Sequence, residues 1–289
     1  MSWQPSLLLQ AQTELGECPV WDPSRNCLFF MDITERKLLR LNWGSVAAST
    51  LQLPAIGGGL VLARDGRLIA GLQTGIYRID PDQGSISFLV DPEPDKPDNR
   101  LNEAKCDPQG RLWIGSMSTK DRSPSGGLYR VDTDFHVTPV LSDIVIPNSL
   151  VWVSDDRMLF ADSYKRMIWS FQFDAESGAI CDRRIFVDCS DQPGIPDGIA
   201  LDAEGCLWCS QFGGGRVIRY SSIGRLVDVV SLPTTQVTSC AFVGEQLQQL
   251  VIITTKRLLG EKERIEQAHA GDLFIVDAPA PGVPVTMFG

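Results

Sequence analysis

One unit recurs six times along the chain. It is clearest where Asn102-Glu103-Ala104-Lys105-Cys106-Asp107-Pro108-Gln109-Gly110-Arg111-Leu112-Trp113 leads to Gly127-Leu128-Tyr129-Arg130-Val131-Asp132. The same plan runs from Asp197 through Asp202, Gly205 and Trp208 to Tyr220, and from Gly58 through Asp65, Gly66 and Ile69 to Asp80. Fainter copies run from Glu17 through Asp22-Pro23 to Asn42, from Asn148 through Asp155-Asp156 to Asp174, and from Thr238 to Asp277. Each copy is a short apolar strand, a polar turn, a second apolar strand, a loop and a third strand. Asp, Asn, Pro and Gly at the turns supply hairpin dihedrals. The copies begin at 17, 58, 102, 148, 197 and 238, so the period is 41 to 49 residues. A period in the forties with three or four strands per copy is the propeller pattern.

The expected fold is therefore all-β, a six-bladed β-propeller spanning residues 1–289 as a single domain. A solenoid is the competing architecture, because repetition alone does not close a ring. Ser6-Leu7-Leu8-Leu9-Gln10 reads as a strand ahead of the first copy that could join the last one. The best helical stretch, Glu261 to His269, is short.

In a propeller the first strand of each blade lines the central channel. Aligned on their turns, the copies place Glu17, Gly58, Asn102, Asn148, Asp197 and Thr238 at equivalent rim positions. Gly58 fills one of them, so the repeat does not itself require a polar residue there. Glu17, Asn148 and Asp197 offer two carboxylates and an amide oxygen, a set suited to a hard divalent cation. Ca²⁺ is the foremost expectation, with Mg²⁺, Mn²⁺, Zn²⁺ and Fe²⁺ also compatible. The competing reading of the same residues is turn caps or water-bridged polar groups.

The net charge of −10 opposes a nucleic-acid or anionic-membrane partner, since both call for a basic face. The N-terminus lacks a basic region followed by a long apolar run, and no run of about 18 apolar residues appears. A soluble, cytoplasmic protein is expected, a monomer or weak homodimer. The eight cysteines are read as reduced and mostly buried. Cys206-Leu207-Trp208-Cys209 has redox or metal spacing but no partner set, so plain strand cysteines are the main reading. His136 and His269 lie in polar, loop-like contexts, and no Gly-x-Ser-x-Gly nucleophile elbow is present. Trp21, Trp113, Trp152, Trp169 and Trp208 recur at strand positions and are read as blade packing. Trp3 and Trp43 receive no assignment.

Several motifs in order carry a family resemblance: Leu15-Gly16-Glu17-Cys18-Pro19-Val20-Trp21, Asn99-Arg100-Leu101-Asn102, Asp107 through Met117, Ile195-Pro196-Asp197-Gly198, Gly213 through Arg219, and Thr238 through Phe242. From about Gly16 to Val276 the chain resembles the gluconolactonase family that includes regucalcin (senescence marker protein 30). The resemblance implies a metal-dependent hydrolase that opens a sugar lactone to its aldonic acid. It implies metal ligands at Glu17, Asn148 and Asp197, substrate contacts at Arg100 and Asn102, and the acid/base at Asp197. Only Arg100 rests on the family alone. The alternatives are hydrolysis of another ester, such as an organophosphate, and a regucalcin-like calcium-binding regulatory role. The family usually shows Asn-Asp-Gly where this chain has Asn102-Glu103-Ala104, and Asn-Gly where it has Asn148-Ser149. In the loop Ser118 to Gly126, Asp121 and Arg122 are the candidates for a further substrate contact.

Overall fold

A computed structural model describes residues 3–289. Met1 and Ser2, which begin the segment read for a leader, lie outside the described residues. Strands dominate. Ser6–Leu9 (β1) precedes Gly16–Asp22 (β2), Cys27–Asp32 (β3), Lys37–Asn42 (β4) and Ser49–Gln52 (β5). Next come Gly57–Leu62 (β6), Leu68–Leu72 (β7), Gly75–Ile79 (β8) and Ile86–Val90 (β9). Asn99–Cys106 (β10), Leu112–Ser118 (β11), Gly126–Val131 (β12) and Val137–Ile144 (β13) follow. Then come Pro147–Ser154 (β14), Arg157–Asp162 (β15), Met167–Phe173 (β16) and Ile180–Asp188 (β17). The chain continues through Ile195–Leu201 (β18), Leu207–Phe212 (β19), Arg216–Tyr220 (β20) and Leu226–Ser231 (β21). It ends with Val237–Val243 (β22), Gln249–Thr254 (β23), the short helix Glu261–Glu266 (α1) and Leu273–Asp277 (β24).

The chain divides into two compact units. One comprises residues 1–52 and 189–284, the other 53–188 and 285–289. The first unit holds three four-stranded antiparallel sheets: β2-β3-β4-β5, β18-β19-β20-β21 and β22-β23-β24-β1. In the last of these, β1 pairs with β24, as expected of the Ser6 segment. The second unit holds β14-β15-β16-β17 and an eight-stranded sheet. That larger sheet is two four-stranded meanders, β6 to β9 and β10 to β13, joined by one parallel pairing between Asn102 and Gly58.

The repeat's turn has a direct physical cause. Asp107 Oδ1 accepts from the backbone N–H groups of Gln109 and Arg111 (both 3.0 Å), closing the hairpin. Its Oδ2 accepts from Trp113 Nε1 at 2.9 Å and Arg111 Nε at 2.6 Å. Asp202 repeats the arrangement, with Glu204 and Cys206 amides on Oδ1 and Trp208 Nε1 on Oδ2 at 3.0 Å. Gly110 (φ 82°) and Gly205 (φ 73°) take the left-handed place in each turn, which strains a side-chain-bearing residue. The carboxylate thus sets the turn and also satisfies a buried indole N–H.

Trp113 and Trp208 are fully buried, and Trp21 nearly so, while Trp152 and Trp169 are half-buried. Trp43 packs edge-on against Trp21 at 5.1 Å, and Trp3 against Trp208 at 6.3 Å, which assigns both to packing. All eight cysteines are free. Cys206 lies in the turn before β19 rather than in the strand, and both it and Cys209 are buried. His136 is exposed. His269 is not a bare surface residue: its Nδ1 lies 3.0 Å from Oδ2 of the buried Asp272. Among the described residues, no helix is long and apolar enough to cross a membrane.

Candidate active site

The six aligned positions share one backbone feature. Register shifts of the β-bulge kind fall between Glu17 and Val20, Gly57 and Gly59, Asn102 and Ala104, Asn148 and Val151, Pro196 and Ile199, and Val237 and Ser239. Bulges re-aim a side chain out of the pleat and are common beside active sites. The aligned residues are the second to fourth of their strands rather than the first. After three of them the backbone turns left-handed, at Cys18 (φ 55°), Glu103 (φ 22°) and Ser149 (φ 51°). The family's Gly at the place of Ser149 has its physical reason in that φ.

In the first unit, β22 packs against both β18 and β2, so Asp197, Thr238 and Glu17 form one row. Asp197 is 6% exposed and Glu17 is half-buried. Thr238 Oγ1 donates to the Gly16 carbonyl at 2.7 Å, tying the strand of Thr238 to the strand of Glu17. Gly198 and Gly16 are required by close approach. A Cβ at 198 would collide with Ser239 Oγ, and one at 16 would lie 2.5 Å from Thr13 Oγ1 and 2.9 Å from the Thr254 carbonyl.

In the second unit the row is Gly58, Asn102 and Asn148. Asn102 Nδ2 donates to the Pro147 carbonyl (2.9 Å) and to Asn148 Oδ1 (3.2 Å). Arg100 Nη1 donates to Asn102 Oδ1 at 2.7 Å. Asn148 Nδ2 donates to Ser163 Oγ at 2.8 Å, which orients the amide and leaves its oxygen as the acceptor end. Arg100, Asn102 and Asn148, expected separately as substrate and metal contacts, are thus one hydrogen-bonded chain. In the loop, Asp121 Oδ1 accepts from Ser118 Oγ and the Ser123 amide, so Asp121 is engaged in its own turn, while Arg122 is exposed.

Two residues beyond the sequence expectation support this geometry. The buried Asp32 accepts from the Glu14 and Leu15 amides at 2.9 and 3.1 Å. The buried Asp162 accepts from the Val145 and Ile146 amides, both at 3.0 Å. Each pins the chain just ahead of Glu17 or Asn148, at the same offset. The available signal was an Asp closing the second apolar strand in both copies. Glu103, the acid noted above as a departure from Asn-Asp-Gly, follows Asn102. Burial pushes its carboxyl up to about 7, against the pull of Lys105.

Taken singly, each donor type suits a hard divalent cation: carboxylates at Glu17 and Asp197 in the first unit, and an oriented amide oxygen at Asn148 in the second. A carboxylate as buried as Asp197 calls for positive charge or donors around it. Among the described residues, no three His, Cys, Asp or Glu side chains cluster, so an amide or water oxygen would have to complete the set.

Residues 15–256 match the model of the SMP-30/gluconolactonase/LRE-like region. The pentonolactonase XacC of Haloferax volcanii is 32% identical, across 96% of this chain and 95% of that protein. A 6-deoxy-6-sulfogluconolactonase of Pseudomonas putida is also 32% identical, across 95% and 94%. The crystal structure of a calcium-binding protein, regucalcin, from Agrobacterium tumefaciens superposes with a TM-score of 0.95 at 27% identity, covering 100% of this chain and 98% of that one.

Proposed function

The chain belongs to the SMP-30/gluconolactonase/LRE-like family, and from that premise we propose that it is a lactonase that opens a sugar lactone with the help of one divalent metal ion. We further infer that the six four-stranded sets are the blades of one propeller domain, with the aligned bulges around its channel. The observation that carries the reading is the set of equivalent bulges, which present two carboxylates and two linked amides.

Asp197 acts as the acid/base. Its carboxylate takes a proton from water as the water oxygen bonds to the lactone carbonyl carbon. It returns that proton to the ring oxygen as the carbon–oxygen bond breaks, giving the hydroxy acid. Arg100 and Asn102, already joined, hold sugar hydroxyls and keep the carbonyl within reach of that water. Glu17, Asn148 and Asp197 would hold the cation, Ca²⁺ foremost, which when bound supplies Lewis-acid polarisation and a lowered water pKa.

The test uses protein stripped with chelator and reloaded with single metals. It is assayed on five- and six-carbon aldonolactones beside organophosphate esters. Turnover of an aldonolactone that vanishes on stripping and returns with metal is the expected result. Full activity after stripping sinks the metal dependence, and turnover of organophosphates alone sinks the substrate class.

A further inference from the structure

A second buried polar cluster lies beside the substrate side of the second unit. Glu93 sits in the segment 91–98 between β9 and β10, and it is 9% exposed. Its Oε1 accepts from Tyr129 Oη at 2.5 Å and Lys96 Nζ at 2.9 Å, and its Oε2 accepts from Asn99 Nδ2 at 2.9 Å. Burial would raise this carboxyl. Hydrogen bonds from Tyr129, Asn99, Lys96 and Ser116 outweigh it and hold the group below the usual carboxylate range.

The cluster reaches in two directions. Lys96 Nζ and Asn99 Nδ2 both donate to the Ser125 carbonyl, at 2.8 and 3.1 Å, and Ser125 Oγ donates back to Asn99 Oδ1 at 2.7 Å. The other end of the same loop is held by Asp98. Its carbonyl accepts from both the amide and the hydroxyl of Thr119, and its carboxylate pairs with Lys120 at 2.6 Å. The loop 118–126 is therefore fastened at both ends to the segment 93–99. In the second direction, Asn99 is followed by Arg100, which bonds to Asn102. Arg100 also stands opposite Met117 in the β10–β11 register, and Asn99 opposite Ser118.

We propose that Glu93 is a positioning residue for substrate binding, holding the loop 118–126 and the strand of Arg100 in one fixed relation. The buried charge is weak evidence for stability, because apolar packing serves a core as well. It specifies geometry: its donors come from the segment 93–99 and from β12, and the same Lys96 and Asn99 also hold Ser125. The kinetic part of this proposal rests on the lactonase reading above.

The metal-loaded, full-length protein is compared with Glu93→Gln and Ser125→Ala. Hydrogen exchange followed by mass spectrometry reads the loop directly. Exchange across 117–127 should quicken by about tenfold in Glu93→Gln, with β18 to β21 unchanged. KM for the aldonolactone should rise about tenfold while kcat stays within about threefold. Ser125→Ala leaves the buried charge in place, so it tests the latch even if Glu93→Gln fails to fold; it should shift both readouts the same way, by about threefold. Unchanged loop exchange in the folded variants overturns the proposal, and so does a fall in kcat at constant KM. A wild-type protein that opens no lactone overturns the lactonase reading alone, and loop exchange still decides the role of Glu93.

Discussion

The two units carry the same backbone device with opposite chemistry. In one, the row of bulges presents Asp197, Thr238 and Glu17; in the other it presents Gly58, Asn102 and Asn148. The first row has two acids separated by a hydroxyl that is committed to the Gly16 carbonyl. The second has no acid at the aligned positions, and its amides are bonded to each other, to Arg100 and to Ser163. The bulge is a property of the repeat, and side-chain identity then divides the labour. Charge sits in one row and oriented neutral groups in the other. Separating the acids limits their mutual repulsion, and linking the amides fixes which atom each one presents.

The largest effect should come from removing charge in the acid row. Asp197→Asn keeps size and shape but cannot accept a proton at neutral pH. Lactone turnover should fall by on the order of 10²–10⁴-fold, with an unchanged circular dichroism spectrum. Turnover within about threefold of wild type would break the division of labour, because the acid row would then be architectural.

That division was only partly legible in the chain. The repeat positions were, because turn chemistry recurs every forty-odd residues and its cause is local, as Asp107 and Asp202 show. The outer strands were not. β5, β9, β17 and β21 are half-buried or exposed along most of their length, so they carry neither alternation nor an apolar run. The six aligned positions were legible as equivalent, and each falls at a register shift, but their depth inside the strands and the bulges themselves were not legible. A bulge is a pairing property, and pairing partners lie outside any local window. Asp32, Asp162 and Glu93 escaped for a related reason. Each acts through amides or side chains that converge only once the sheets have formed.

Glu103 gives a smaller and sharper test, since it places a carboxyl beside the neutral row. Its native value of about 7 lies above the ordinary 4.5, so the native state holds a proton that the unfolded chain releases. Stability from this group is full at low pH and is lost as pH rises from about 4.5 through about 7. Glu103→Gln should therefore gain roughly 1–3 kcal/mol over wild type near pH 8 and roughly nothing near pH 4. Urea midpoints at the two pH values read the difference. An equal gain at both would mean that the charge of Glu103 is already compensated in the native protein.

The smallest effect tests the bulge itself. Ser149 follows Asn148 at φ 51°, where a residue with Cβ is strained and a β-branched one is strongly disfavoured. Ser149→Gly removes that strain but gives the unfolded chain more freedom, and the two terms are each about 0.4–1 kcal/mol. It also removes a buried hydroxyl. The net change should stay under about 1 kcal/mol in either direction. Ser149→Val cannot reach the left-handed region cheaply and should cost more than about 1–2 kcal/mol. If the strand adjusts, Asn148 loses its orientation and metal affinity falls with it, measurable by calorimetry on the stripped protein. Should Ser149→Val match Ser149→Gly in stability and in metal affinity, the left-handed turn is not what aims Asn148. The likeness between the two rows would then lie in strand pairing alone, with no bearing on how their side chains are presented.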